Sequence, residues 1–171
     1  MKKIIYCLLV AVMLSACGGE TKKSETKQEE INATQESASK KESEKRVGDI
    51  IMVNGEMGVV FTVTADGQHG KVMSVSQIEK CIWNDAKAWC ANLGQGWKLP
   101  TKDELLVIYS RKSVINSALS ANNYQLIDAN ACYWSSDKEV DNYMWIVSME
   151  NGETDGEGKY NHDSVRAVSA F

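Results

Sequence analysis

Between Gly18 and Arg46 the chain carries seven Glu, seven Lys or Arg, and only Ile31, Ala33 and Ala38 as apolar side chains. So polar a segment cannot bury enough surface to offset the entropy lost on ordering, and it is expected to stay disordered. Any hydrophobic core must therefore come from residues 47–171, enough chain for one domain of ordinary size. The structured alternative for the charged segment is a solvated helix, because Glu and Lys are good helix formers. As a coil, a tether of this length reaches on the order of 30 Å root-mean-square.

What precedes the tether reads as an address. Met1-Lys2-Lys3 is followed by the apolar run Ile4 to Leu14 and then by Ser15-Ala16-Cys17-Gly18-Gly19. This is the basic, apolar and small-residue order of a secretory signal, and the run is shorter than the roughly 20 apolar residues that span a bilayer. Leu14-Ser15-Ala16-Cys17 resembles the bacterial lipobox. The resemblance implies that residues 1–16 are removed and that Cys17 carries the lipid which holds the protein to a membrane, with residues 17–46 as lipidated cysteine and tether. Gly18 after the cysteine, by resemblance to the sorting rule of enteric bacteria, implies the outer membrane, facing either the periplasm or the cell surface.

Within residues 47–171 the hydrophobic period changes twice. Gly48 to Val53 and Met57 to Val63 are β-rich and meet at Asn54-Gly55, the dipeptide suited to a two-residue type I′ hairpin. Asp66-Gly67 makes a further turn before a third strand from Gly70 to Val75. From Trp83 the spacing becomes helical, with Trp83, Ala86, Cys90 and Leu93 on one face and Gly94 and Gly96 to stop it. Thr101 and Glu104 form a capping box after Pro100, and Leu105, Ile108 and Tyr109 continue a second helix. Val114 to Leu119 reads as a short helical turn. After an Asn- and Asp-rich loop from Ala121 to Ala131, strand signals return at Cys132 to Ser136, Tyr143 to Ser148 and Ser164 to Phe171, with a tight turn at Asn151-Gly152. Strands, then helices, then strands is the order of an α+β domain.

Charge and cysteine narrow the function classes. The domain holds 16 acidic against 10 basic residues, which disfavours nucleic acid and anionic lipid surfaces. Outside the signal and Cys17, the cysteines are Cys81, Cys90 and Cys132. In an oxidising compartment one disulfide is plausible, and the expectation is that Cys81 or Cys90 pairs with Cys132 while the other is buried as a small apolar residue. A metal site using these thiols with His69 or His162 lacks the close cysteine pairs that such sites prefer.

Gly96-Trp97-Lys98-Leu99-Pro100-Thr101 with Glu104-Leu105, then Tyr133-Trp134-Ser135-Ser136, then Val165-Arg166-Ala167-Val168, resemble the bacterial domain found in the C-terminal region of the Legionella collagen-like adhesin and in the Fibrobacter paralogous surface proteins. The resemblance covers nearly all of residues 48–171. It implies a C-type-lectin-like fold: a mixed antiparallel sheet in which the first and last strands pair, two helices, and a long projecting loop region. Trp97, Leu99, Trp134 and Trp145 then belong in the core. Arg166, in a strand otherwise small and apolar, needs a partner, with Glu104 or Asp103 as candidates.

The candidate ligand-binding residues are the oxygen-rich side chains of the late loops: Asp128 and Asn130, then Asp137, Glu139, Asp141 and Asn142, with a further group at Asn151, Glu153, Asp155 and Glu157. Ca²⁺ takes six to eight such oxygens, although a solvated acidic surface is the plainer reading. The Pro-containing loop and late Trp-Asn-Asp of Ca²⁺-dependent lectins are missing, since Trp83-Asn84-Asp85 falls at the first helix. His162-Asp163-Ser164 has the residue types of a hydrolase triad, yet neighbours in a strand point to opposite faces and cannot align. The expectation is a membrane-anchored, non-catalytic module for a glycan or an envelope protein, without a required cofactor. The alternatives are a structural or assembly component of the envelope, or an enzyme distantly like the formylglycine-generating enzymes.

Overall fold

The computed structural model describes residues 44–171, so the signal reading, Cys17 and the tether as far as Ser43 lie outside the described residues. Asn54 and Gly55 have φ of 48° and 93°, the two left-handed positions a type I′ turn demands. They set β1 (Ile50–Val53) antiparallel to β2 (Glu56–Val63), with Val53 opposite Glu56. β3 (Gly70–Ser74) extends the meander. β4 (Ile78–Cys81) then leads into three helices, α1 (Trp83–Asn92), α2 (Lys102–Ser110) and α3 (Lys112–Ala121). The chain finishes with β5 (Cys132–Val140), β6 (Tyr143–Ser148), β7 (Thr154–Gly158), β8 (Asp163–Val165) and β9 (Val168–Ala170). One sheet has the order β1-β2-β3-β9 and the other β4-β8-β5-β6-β7, which makes the domain α+β.

The alternation of β2 and β3 feeds two cores. Val60 and Val72 belong to one, with Trp97, Leu99, Trp134, Ile146 and the α1 residues Ala86 and Cys90. Val59, Phe61 and Met73 belong to the other, which is closed by Leu105 and Ile108 of α2 and by Ile115 and Leu119 of α3. Each such side chain contributes roughly 1.5–3 kcal/mol on burial. The tryptophans keep their indole N–H groups satisfied: Trp97 donates to the Val53 carbonyl at 2.9 Å and Trp134 to the Cys81 carbonyl at 2.8 Å. At the start of α2 the capping box is complete, with Glu104 N–H donating to Thr101 Oγ1 and Thr101 N–H to Glu104 Oε2.

Several elements differ from the sequence expectation, each for a physical reason. α3 is a full helix of ten residues rather than a turn. It forms because Ile115 and Leu119 dock fully buried, and because Arg111 and Lys112 at its start donate to the Phe61 and Met149 carbonyls. β7 contains no large apolar residue, yet the open edge of β6 supplies pairs from Tyr143–Gly158 to Val147–Thr154. The Asn151-Gly152 turn closes that hairpin; Gly152 has φ of 78°, and a Cβ there would sit 2.6 Å from the Tyr109 ring. The expected long loop region is thus largely strand from Cys132 onward.

The C-terminal strand breaks in two. β8 lies in the second sheet and β9 in the first, and the last strand pairs with β3, not with β1. The reason is that β3 and β4 make the same crossing in reverse, so the two segments run side by side through both sheets. At the crossing Ser74 N–H donates to the Ala167 carbonyl and Ala167 N–H donates to Ser74 Oγ. Arg166, 1% exposed, fills the corner. It is not paired with Glu104 or Asp103. Its Nη1 donates to the Ser74 and Val75 carbonyls, its Nε to Gln77 Oε1 and its Nη2 to the Gln125 carbonyl. Glu104 is taken instead by Lys71, at 2.7 Å.

Leu119→Ala should therefore lower unfolding free energy by about 2–5 kcal/mol in urea titration, while Val114→Ala on the exposed side of α3 should stay within about 0.5 kcal/mol. Equal, small effects at both positions would remove α3 from the core.

Candidate functional site

The residues that cross between the sheets also frame a cleft. Leaving β3, the chain places Gln77, Glu79 and Lys80 along one wall; the loop after α3 supplies Gln125, Asp128, Asn130 and Ala131 opposite, and Ser164 of β8 lies between. The enclosed volume is about 410 Å³. A second lobe of about 240 Å³ shares Glu79, Lys80, Asn130 and Ser164 and adds Cys132, His162 and Asp163.

Hydrogen bonds fix the walls. Gln125 Nε2 donates to Glu79 Oε1 at 2.8 Å, which ties the loop to β4. Asn130 N–H donates to Asp128 Oδ1 at 2.9 Å, a local turn that shapes the loop from within. Ile127 N–H donates to Asn116 Oδ1 of α3. Tyr133, buried on β5, donates its hydroxyl to Gln77 Oε1 and accepts from Asp128 N–H. The loop is thereby held from the helix, the strand and the Arg166 corner together.

Of the six residues proposed from sequence, Asp128 and Asn130 line this cleft and the other four do not. Asp137 accepts from the Lys102 amide at 2.7 Å and stabilises the start of α2. Asp141 pairs with Lys138, which holds its carboxyl below the usual range, and it sits in the β5–β6 turn with Asn142 at φ of 65°. Glu139 lies on the same hairpin. The missed residues Gln77, Glu79 and Gln125 carry no local signal, and Asp163, noticeable in sequence only within the triad-like His162-Asp163-Ser164, joins them because the β3–β4 crossing brings these segments together.

The expected disulfide to Cys132 is corrected. Cys81, Cys90 and Cys132 are all free thiols. β8 runs between β4 and β5, which separates Cys81 from Cys132 by two strand spacings, about 10 Å, beyond the reach of a disulfide. Burial pushes the Cys81 thiol up to about 11, with Asp85 and Asp163 adding to the effect, and pushes Cys90 up to about 12. Among the described residues no three of His, Cys, Asp and Glu converge to hold a metal ion, so the Ca²⁺ reading gains no ligand set.

Asp163 is the unusual titrating group of the cleft. Burial first, and the Glu157 carboxylate second, push it up to about 6, against the opposing pull of His162 and Lys80. The Ser164 hydroxyl donates to the Glu79 carbonyl at 2.6 Å, so the serine of His162-Asp163-Ser164 faces a backbone acceptor instead of an imidazole. The thiols are held protonated and the hydroxyl is engaged. The cleft offers amides, carboxylates and one lysine, which suit recognition of a polar ligand by hydrogen bonds.

The family described as the Lcl C-terminal domain matches residues 56–169 of the chain. No curated protein matches. Among solved structures, the Yersinia pseudotuberculosis adhesin InvE aligns with a TM-score of 0.38 and 15% identity, over 71% of this chain and 33% of that one. That likeness is too distant to define a ligand.

The raised Asp163 sets a pH dependence. An acid whose folded value lies above its unfolded value favours folding at low pH, and that contribution is lost as pH rises from about 4 through about 6. Relative to the parent, Asp163→Asn should gain stability across this window and hold the gain above it, as read from thermal midpoints. A constant difference at all pH values would contradict the assignment. In a second measurement, Cys81 and Cys90 should react with a disulfide reagent at neutral pH only after urea unfolding.

Proposed function

The chain belongs to the Lcl C-terminal domain family, and from that premise we propose that it works as a non-catalytic, adhesion-type binding module whose polar cleft takes a glycan or a protein ligand. The observation that carries this reading is the cleft itself. Its walls converge from β4, β8 and the 122–131 loop with hydrogen-bonding side chains, its serine hydroxyl is engaged with a backbone carbonyl, and burial raises the proton affinity of its Cys132 thiol. Recognition needs placed donors and acceptors, whereas covalent catalysis needs an activated nucleophile with a base in reach. The resemblance to a domain of a collagen-like adhesin supports the adhesive side of the proposal.

The reading extends to how the domain is presented. Cys17 carries lipid in the outer membrane, and the charged tether of residues 18–46 holds the domain clear of the lipid surface. The lipobox-like Leu14-Ser15-Ala16-Cys17 supports this. Replacing Cys17 with Ala should move the protein from the membrane to the soluble fraction after cell lysis, and retention of the variant in the membrane would contradict the anchor.

The cleft is tested by thermal unfolding against a panel of peptidoglycan fragments and oligosaccharides. A ligand selective for the folded state raises the midpoint as its concentration grows. The expected result is a rise that is lost in Asp128→Ala and in Gln125→Ala. A rise that both variants retain would place the binding elsewhere.

A further inference from the structure

The walls of the cleft carry more negative charge than they compensate. Glu79, Asp128 and Asp163 line its two lobes, and Lys80 is the only lysine or arginine among the lining residues. Two further carboxylates act on the same space. Asp155 and Glu157, two residues apart on β7 and so on one face of it, both raise the proton affinity of Cys132, which lines the second lobe. The excess of acidic over basic residues in the whole domain acts in the same sense.

Asp163 is the member of this group without a partner. It is half-buried, and among the described residues its carboxylate accepts no hydrogen bond and enters no ion pair; Lys80 and His162 act on it only through space. No side-chain oxygen of the described residues is both sealed from solvent and unbonded, so the Asp163 oxygens open into the lobe they line. The nearby donors are taken. The Ser164 hydroxyl is given to the Glu79 carbonyl, the Gln125 amide to Glu79 Oε1 and the Asn161 amide to Glu157 Oε1. A half-buried carboxylate that faces a second carboxylate and has no donor of its own is stabilised by an incoming cation. A metal ion finds no ligand set here, since no three of His, Cys, Asp and Glu converge among the described residues.

We propose that the ligand of the cleft carries an alkylammonium group, seated in the second lobe against Asp163 and Glu79, with the first lobe taking the chain that bears it. The proposal rests on the reading of the cleft as a binding site and names the chemistry that site selects. An ammonium offers three donors from one compact charge, which suits oxygens on separate walls better than the planar fork of a guanidinium. An anionic ligand would add charge to walls already crowded with carboxylates, and a neutral sugar would leave Asp163 without a counter-charge. Lys80, next to Glu79 on β4, opposes a cation in the cleft. That opposition gives the proposal a signature, because removing Lys80 should strengthen binding where the loss of a merely structural residue would weaken it.

The test is titration calorimetry of the intact protein with cadaverine and with a tripeptide of lysine blocked at both ends. The Nε-acetylated tripeptide is the neutral comparison and the blocked tripeptide of glutamate the anionic one. The expected result is binding of an amine but of neither comparison, weakened roughly tenfold by Asp163→Asn and by Glu79→Gln and strengthened by Lys80→Ala. Glu150→Gln, which removes an exposed carboxylate from the β6–β7 turn, should change nothing. Asparagine at 163 relieves a crowded carboxylate and glutamine at 79 keeps an acceptor for Gln125, so both variants stay folded, as thermal midpoints check. Binding of cadaverine alone would mark a free amine as the source and binding of the lysine peptide a basic protein segment; either supports the ammonium. Binding that survives in both Asp163→Asn and Glu79→Gln, falls equally in Glu150→Gln, or weakens in Lys80→Ala would overturn the proposal. A neutral oligosaccharide bound in dependence on Gln125 and Asp128, with no amine bound, would overturn the ammonium and leave the cleft reading intact, whereas failure of amines and oligosaccharides alike would overturn both.

Discussion

A buried guanidinium without a carboxylate partner organises this domain. Arg166 stands where β8 leaves one sheet and β9 enters the other, beside the matching crossing of β3 into β4. Its donors go to neutral oxygens from the crossing strand and from the loop after α3. A charge so placed is costly to bury, and it is tolerated because several carbonyl dipoles converge on it. Burial presses its proton affinity down, while Tyr133 beside it acts in the opposite sense. The corner therefore depends on the planar, multi-donor geometry that distinguishes arginine from lysine.

The cleft is a consequence of that corner. Gln77 and Gln125, both bound to Arg166, stand on opposite walls, and Gln125 reaches on to Glu79. What the two sheets need in order to join is thus also what holds the walls apart. The same crossing inserts β8 between Cys81 and Cys132, keeps the thiols separate and seats Asp163 among groups that raise its proton affinity. The corner and the cleft are coupled here through shared residues. A polar cleft whose serine hydroxyl is engaged supports the proposed reading of the domain as a binding module.

Local signals in the sequence carried a good part of the fold. The Asn54-Gly55 hairpin, the Thr101–Glu104 capping box and the burial of Trp97 and Trp134 are written in neighbouring residues, and each is observed. Elements decided by distant partners were not legible. β7 owes its existence to the free edge of β6, and α3 to the sheet face that buries Ile115 and Leu119. The break between β8 and β9 is hidden in a run that alternates like one strand. Asp128 and Asn130 were legible as loop oxygens, whereas Gln77, Glu79 and Asp163 become a site only when two strands cross side by side.

The most direct measurement is hydrogen exchange, followed by mass spectrometry, on Arg166→Lys. Lysine keeps the charge but cannot span the Ser74, Val75, Gln77 and Gln125 oxygens together. The account predicts faster exchange confined to the β3–β4 crossing and the 122–131 loop, with protection of the β1–β2 hairpin and of α2 retained. Uniform loss of protection, or none at the crossing and the loop, would contradict the claim that this one side chain joins the sheets and shapes the cleft.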